Sequence, residues 1–354
     1  MITPGTELAS RYEIVSYVAS GGMQDVYKAN DKLTGEIVAL KTPQAGQANK
    51  RFKQSAILSA RISNYNVAKT FDYFEEGNAC YLIEEYIEGT TLEAATLDVI
   101  PQIDPHLAAY LMLRIAKGLA ASHQAQVAHR DLKPSNILVG SGFSSIKITD
   151  FGIATLAEEL FEEVIAKSGD LTRSTSGTVK GALPYMAPEM MFRKPGDHVG
   201  CEADIWSLGA LMFRLMTGSF PFGEGMMVPV NVEKKQPLSW PSFLTRKAQF
   251  APLSNSITGI VEKCLAYDKE QRPVALEVVG SCEELCFHFS PREFGVISEV
   301  KYSTGFVRSS DGEKIFYHKD SLYGSLGAKV GSKVVFSAHD GTPFPRAHPI
   351  VVCP

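Results

Sequence analysis

Apolar and polar residues alternate along YEIVSYVA (12–19), QDVYKAN (24–30), EIVALKT (36–42) and CYLIEEYI (80–87), the period-two signature of strands. Tight turns at LTG (33–35) and EEGN (75–78) separate them, and RFKQSAILSA (51–60) opens the one helix in their midst. At 105–125 the period changes. Leu107, Leu111, Ile115 and Leu119 fall on one stripe, which predicts a helix. Further helices are predicted near 202–217, 254–266 and 275–287. From about 292 short strands return in EFGVISEVKY, TGFVR, KIFYH and KVVFS, punctuated by glycine-rich turns. Pro291 ends the last helix, which puts a domain boundary near 288–292. No internal repeat or low-complexity tract interrupts this order.

The 354 residues suffice for two or three folded units, and 45% hydrophobic with 21% charged residues is the balance of a soluble globular protein. A net charge of −4 gives no whole-chain pull toward nucleic acid or an anionic membrane. The six cysteines are scattered, as in a reducing compartment. Cys282 and Cys286 stand at i,i+4 on a predicted helix with no further ligands nearby, and read as two buried thiols rather than a metal site. The N-terminus lacks a basic stretch followed by an apolar one. The most apolar run, WSLGALMFRLMTG, carries Arg214 in its middle, so no membrane span and a cytoplasmic location are expected.

Chemistry concentrates in HRDLKPSNILV (129–139) and ITDFGIA (148–154). Asp131, Lys133, Asn136 and Asp150 put two carboxylates, an amine and an amide on loops between strands. That set suits holding a divalent cation against a polyphosphate while one carboxylate takes a hydroxyl proton. Taken singly, each is as readily a structural polar group.

Together these segments resemble the protein kinase family. HRDLKPSN resembles its catalytic loop, DFG its metal-binding loop, VALK (38–41) its third-strand lysine motif and APE (187–189) the close of its activation segment. DIWSLG (204–209) and QRP (271–273) fit its helical lobe. The resemblance implies an α+β bilobal fold over 12–290, after an extension at 1–11, with a small lobe at about 12–88 and a large lobe at about 89–290. It implies ATP with magnesium, or manganese in its place. Lys41 would hold the α- and β-phosphates, and Asn136 and Asp150 the metal. Asp131 would take the hydroxyl proton, with Lys133 on the phosphoryl oxygens. Lysine two places after Asp131 is like the serine/threonine branch. Val18, Gly21, Gly22, Val26, Ala39, Glu84, Glu85 and Ile87 fall at the family's nucleotide-binding positions.

Two departures stand out. The glycine-rich loop reads ASGGMQDV (19–26), with Ala19 and Gln24 where two of three glycines are expected. Gly22 adds freedom, but Gln24 hinders close backbone approach, so nucleotide affinity is expected to fall modestly. The second departure is an absent acid. No Asp or Glu occurs between Glu36 and Asp72, and the helix position that carries glutamate in the family, as partner of the third-strand lysine, is Ser55. A serine neither neutralises Lys41 nor aims it.

Two readings follow: a pseudokinase that keeps the fold without turnover, or an enzyme whose counter-charge comes from elsewhere. In YLIEEYIEG (81–89), Glu84 falls at the back wall of the adenine pocket, usually an apolar position. Buried alone it would cost several kcal/mol. Pairing it with Lys41 accounts for both anomalies; otherwise Glu84 faces water and the register is off by one. Survival of Lys41, Asp131, Asn136 and Asp150 favours the enzyme.

The segment between Asp150 and Glu189 contains Ser174, Thr175, Ser176 and Thr178, candidate autophosphorylation sites that Arg130 would capture; a merely solvated loop is the alternative. Ala182 replaces a threonine common in related kinases. Glu189 and Arg272 are expected to form a buried ion pair.

Residues 291–354 resemble the cold-shock family of small all-β OB-type barrels, through GFV, DG, IFYH and KVVF. Phe306, Phe316 and His318 would share one face, where rings stack on unpaired bases of single-stranded RNA or DNA. Thr304 stands where the family leads with an aromatic. Eight Lys/Arg against six Asp/Glu give little pull on phosphate. The competing expectation is a barrel that packs on the kinase lobe with these same aromatics. The protein substrate, beyond the chain itself, is not named by any residue pattern.

Overall fold

The computed structural model of the protein describes residues 1–20, 24–44, 49–151, 181–194, 197 and 199–354, without the side chains of 49–51. Gly21, Gly22, Ser174, Thr175, Ser176 and Thr178 lie outside the described residues.

The small lobe is a sheet in the order β1-β2-β3-β4-β6-β5, formed by β1 (Glu7–Leu8), β2 (Tyr12–Ser20), β3 (Gln24–Asp31), β4 (Ile37–Pro43), β5 (Thr70–Glu76) and β6 (Ala79–Glu85). β1 comes from the expected extension: Leu8 is buried with Tyr12, Ile14 and Tyr27, so these first residues are an edge of the sheet. β5 escapes the alternation pattern because Asp72, Glu75 and Glu76 keep it polar, and antiparallel pairing with β6 recruits it. Helix α1 (Asn49–Ser59) packs Phe52 and Ala56 on Cys80 and Leu82 of β6.

The large lobe begins with β7 (Thr90–Thr91) and α2 (Leu92–Ala95), which lead to α3 (Pro105–Gln124). Asp104 caps α3 by accepting from the backbone N–H groups of His106 and Leu107, and Pro105 takes the first helical position, where a missing N–H costs nothing. The predicted stripe Leu107, Leu111, Ile115 and Leu119 is fully buried. β8 (Ile137–Val139) and β9 (Ile146–Ile148) form a hairpin that carries the two reactive loops at its ends. The helix Glu202–Thr217 stops at Gly218, whose φ of 78° and closeness to the Pro101 carbonyl both require glycine.

Two helix boundaries differ from expectation. One helix runs Ala251–Cys264, since Pro252 is tolerated in a first turn. The last ends at Glu283, not 287, so Cys286 lies past the helix and is exposed while Cys282 is buried. The expectation of two buried thiols is therefore corrected.

Residues Glu293–Val352 form a closed five-stranded barrel with a short extra strand: β10 (Glu293–Val300), β11 (Thr304–Ser309), β12 (Lys314–His318), β13 (Leu322–Tyr323), β14 (Lys333–His339) and β15 (Arg346–Val352). The order β12-β11-β10-β14-β15 is closed by parallel pairing of Phe316 with Arg346. Ile297, Val307, Ile315, Val334, Phe336 and Ile350 fill the interior, alternating with outward residues.

The barrel packs on the large lobe, but not through the expected aromatics. Tyr323, Val335 and Val351 join the large-lobe core, the His348 ring stacks on Phe250 at 5.3 Å, and Phe289 of the connecting segment stacks on Tyr110 at 3.8 Å. Arg292 binds Asp104 bidentately, at 3.0 and 2.8 Å, and donates to Ser337 Oγ at 2.6 Å. One carboxylate thus caps α3 and anchors the barrel. Among the described residues no helix is long and apolar enough to cross a membrane.

Candidate active site

Strand register sets the central arrangement. β4 and β6 pair Ala39 with Glu84 and Lys41 with Leu82, so Lys41 and Glu84 share a face and lie diagonally across the ladder, with the small Ala39 leaving room between them. Lys41 Nζ is 2.6 Å from Glu84 Oε2 and 2.7 Å from Asp150 Oδ1. The ion pair expected from the missing helix acid is therefore present, and the off-register alternative is set aside. Glu85 instead pairs with Lys147 at 2.7 Å. Ser55, in the position of the absent acid, donates its hydroxyl to the Phe151 carbonyl at 2.6 Å.

Burial opposes charge on Lys41, but Asp150 and Glu84 outweigh it and raise its pKa. For Glu84 burial dominates, and Lys41 offsets only part of it, so the carboxyl lies above its usual range. Asp150 is pushed up by burial, but the Lys41 charge and hydrogen bonds from Lys41 and Gln24 hold it below. Lys41 is thus kept charged and Asp150 ionised. The Asp150 side chain keeps 22% exposure against 7% for Lys41 and 5% for Glu84, which makes it the member of the trio open to a cation.

On the catalytic loop, Lys133 Nζ donates to both Asp131 oxygens, at 3.0 and 2.8 Å, and Asn136 Nδ2 donates to Asp131 Oδ2 at 2.9 Å. The amide nitrogen of Asn136 is thereby spent on Asp131, and its oxygen is the atom left for a hard cation. Arg130 and Asp150 hold φ of 62° and 63°, strained for residues with side chains, and such strain gathers where surroundings enforce a functional geometry. The enforcing groups are visible. Buried Asp204 accepts from the backbone N–H groups of His129 and Arg130, at 2.8 and 2.6 Å, and meets His123 at 2.8 Å. His129 Nε2 reaches the Thr149 carbonyl at 2.8 Å, tying the catalytic loop to the residue before Asp150.

Among the described residues no three His, Cys, Asp or Glu side chains converge as a cation cage. The Asp150 carboxylate and the Asn136 amide oxygen are the oxygen donors that would suit a hard divalent cation, and two protein ligands would leave its other positions to further oxygens. Val26, opposite Lys41 in the β3–β4 pairing, and Ile87 are half-buried, Ala39 is buried and Val18 is exposed. Arg130 donates to the Val199 carbonyl at 2.6 Å. Glu189 and Arg272 meet in a bidentate pair at 2.7 and 2.9 Å, as expected.

On the barrel, the Phe306 and Phe316 rings meet at 5.7 Å, with His318 two residues along β12 held at 3.2 Å from Asp320. A third ring, Phe344, packs on Phe306 at 5.2 Å and was not among the candidates; it sits in the loop GTPFP, where an aromatic between two prolines was the available signal. Lys314 lies over Phe306 and Arg346 over Phe316.

A profile of the protein kinase domain matches residues 12–282. The serine/threonine-protein kinase PrkC of Bacillus subtilis is 32% identical over 237 residues, 66% of this chain and 34% of that protein. The probable serine/threonine-protein kinase CPE1738 of Clostridium perfringens is 31% identical over 291 residues, 79% of this chain and 39% of that protein. PknL of Mycobacterium bovis, a serine/threonine-protein kinase, is 33% identical over 220 residues, 61% and 51% of the two chains. The chain thus spans well under half the length of the first two relatives.

Proposed function

This chain belongs to the protein kinase family, and we propose that it transfers the γ-phosphoryl group of ATP to serine or threonine hydroxyls of proteins, its own activation segment included. The carrying observation is Lys41 held between Glu84 and Asp150, 2.6 and 2.7 Å away, beside an assembled Asp131, Lys133 and Asn136. Lys41 holds the α- and β-phosphates and Glu84 keeps it in line, replacing the helix glutamate. Asp131 orients the acceptor hydroxyl and takes its proton, while Lys133 neutralises phosphoryl oxygens. Asp150 and Asn136 hold magnesium, which when bound neutralises charge on the phosphates. The kinase unit is assigned to 12–290 and the barrel to 291–354.

Purified protein given magnesium and γ-labelled ATP is expected to label itself and generic acceptors. Asp131→Asn should slow this about 10²-fold, at the low end for a general base because the transition state asks little of one. Wild-type protein that labels neither itself nor acceptors would leave the pseudokinase reading.

The barrel is assigned as an OB-type, cold-shock-like module for single-stranded RNA or DNA. What supports this is the half-buried trio Phe306, Phe316 and Phe344, packed on one another and flanked by Lys314 and Arg346. In a gel-shift assay on single-stranded oligonucleotides, Phe306→Ala and Phe316→Ala are each expected to lose about 1–3 kcal/mol of binding. Wild-type protein that shifts no oligonucleotide removes this assignment.

A further inference from the structure

Gln24 takes the place of a loop glycine, yet its side chain turns inward. It is the first residue of β3 and only 7% exposed. Its Nε2 donates to Asp150 Oδ1 at 2.7 Å, the same oxygen that receives Lys41. Chemistry fixes which end of the amide faces Asp150, because an amide oxygen there would oppose a carboxylate oxygen. The other end, Oε1, is buried and has no hydrogen-bond partner among the described residues.

An unpaired buried amide oxygen is costly, and its usual explanation in a working site is a water or ion that completes it. Two features of metal sites match the two ends of this amide. A ligating carboxylate is normally held by an outer hydrogen-bond donor, and magnesium normally keeps several of its waters. Gln24 has the donor already in place on Asp150, and an acceptor beside it.

We propose that Gln24 is a positioning residue for the divalent cation: its amide N–H fixes the Asp150 carboxylate, and its amide oxygen accepts from a water of the cation's shell. The proposal rests on the reading of Asp150 as a metal ligand. It gives the loss of glycine a return, since close backbone approach to phosphate is exchanged for a side-chain hold on the metal. A simple latch, with Gln24 pulling Asp150 away from the cation, predicts the opposite sign on removal.

The test is binding of a fluorescent ATP analogue to the full chain, titrated with magnesium chloride and repeated in EDTA. Gln24→Gly and Gln24→Met should each raise the magnesium concentration for half-maximal binding about 10–100-fold, while leaving metal-free binding in place. Glycine restores the loop's freedom and methionine keeps its bulk, so a shift shared by both follows the amide. Asp150→Asn is the reference and should abolish the magnesium dependence. If it does so while both Gln24 variants titrate like wild type, bind magnesium more tightly, or only the glycine variant shifts, the role of Gln24 is overturned and the metal reading stands. If Asp150→Asn itself titrates like wild type, the metal reading fails and takes this inference with it.

Discussion

Glu84→Gln is expected to lower kcat/KM for phosphotransfer about 10²-fold and Glu84→Leu about 10³-fold, measured as initial rates across ATP concentrations with Lys41→Met as the floor. Glutamine keeps an oxygen for Lys41 but no charge; leucine removes both. The ammonium then has Asp150 as its remaining carboxylate among the described residues, and a cation would compete with Lys41 for it. A 10³-fold loss is about 4 kcal/mol of transition-state stabilisation. Ser55 offers no substitute, because its hydroxyl is already donated to the Phe151 carbonyl.

Arg292→Ala is expected to destabilise the chain by about 3–5 kcal/mol, since it leaves the buried Asp104 carboxylate without its counter-charge. Both side chains are nearly inaccessible, 3% and 2% exposed. Because Tyr323, Val335 and Val351 belong to the large-lobe core, wild-type barrel and lobe should unfold in one denaturant transition, and the variant in two. Asp104→Asn keeps a good helix cap while removing the charge, so adding it to Arg292→Ala should return part of the loss. A single unshifted transition for Arg292→Ala would show the ion pair to be dispensable.

What could be read from the residues depended on how locally each feature is encoded. The catalytic and metal-binding motifs are short, and their spacing is held by one hairpin, β8–β9, so their meeting was predictable. The Lys41–Glu84 pair was found through two anomalies, Ser55 without an acid and Glu84 at an apolar position, joined by strand register. Burial makes such anomalies informative: an acid placed there must be paired. The Arg292–Asp104 anchor spans 188 positions, and neither residue is unusual where it stands. The Gln24–Asp150 bond spans 126; the odd glutamine was visible, but only as a lost glycine. The barrel's aromatics were placed on one face correctly, whereas the lobe contact came from Tyr323 and His348, whose roles depend on packing between domains. Cys286 was misplaced because helical periodicity continued beyond the point where the backbone leaves the helix.

The most direct measurement is the initial rate of phosphate transfer by Glu84→Leu beside Glu84→Leu with Ser55→Glu, which moves the acid from the back wall of the pocket to the helix. With Lys41 needing one fixed carboxylate, the first variant should be nearly inactive and the second should regain about tenfold or more of the lost rate. A Glu84→Leu enzyme as fast as wild type would contradict the account, because Lys41 would then be shown to work without the acid beside it.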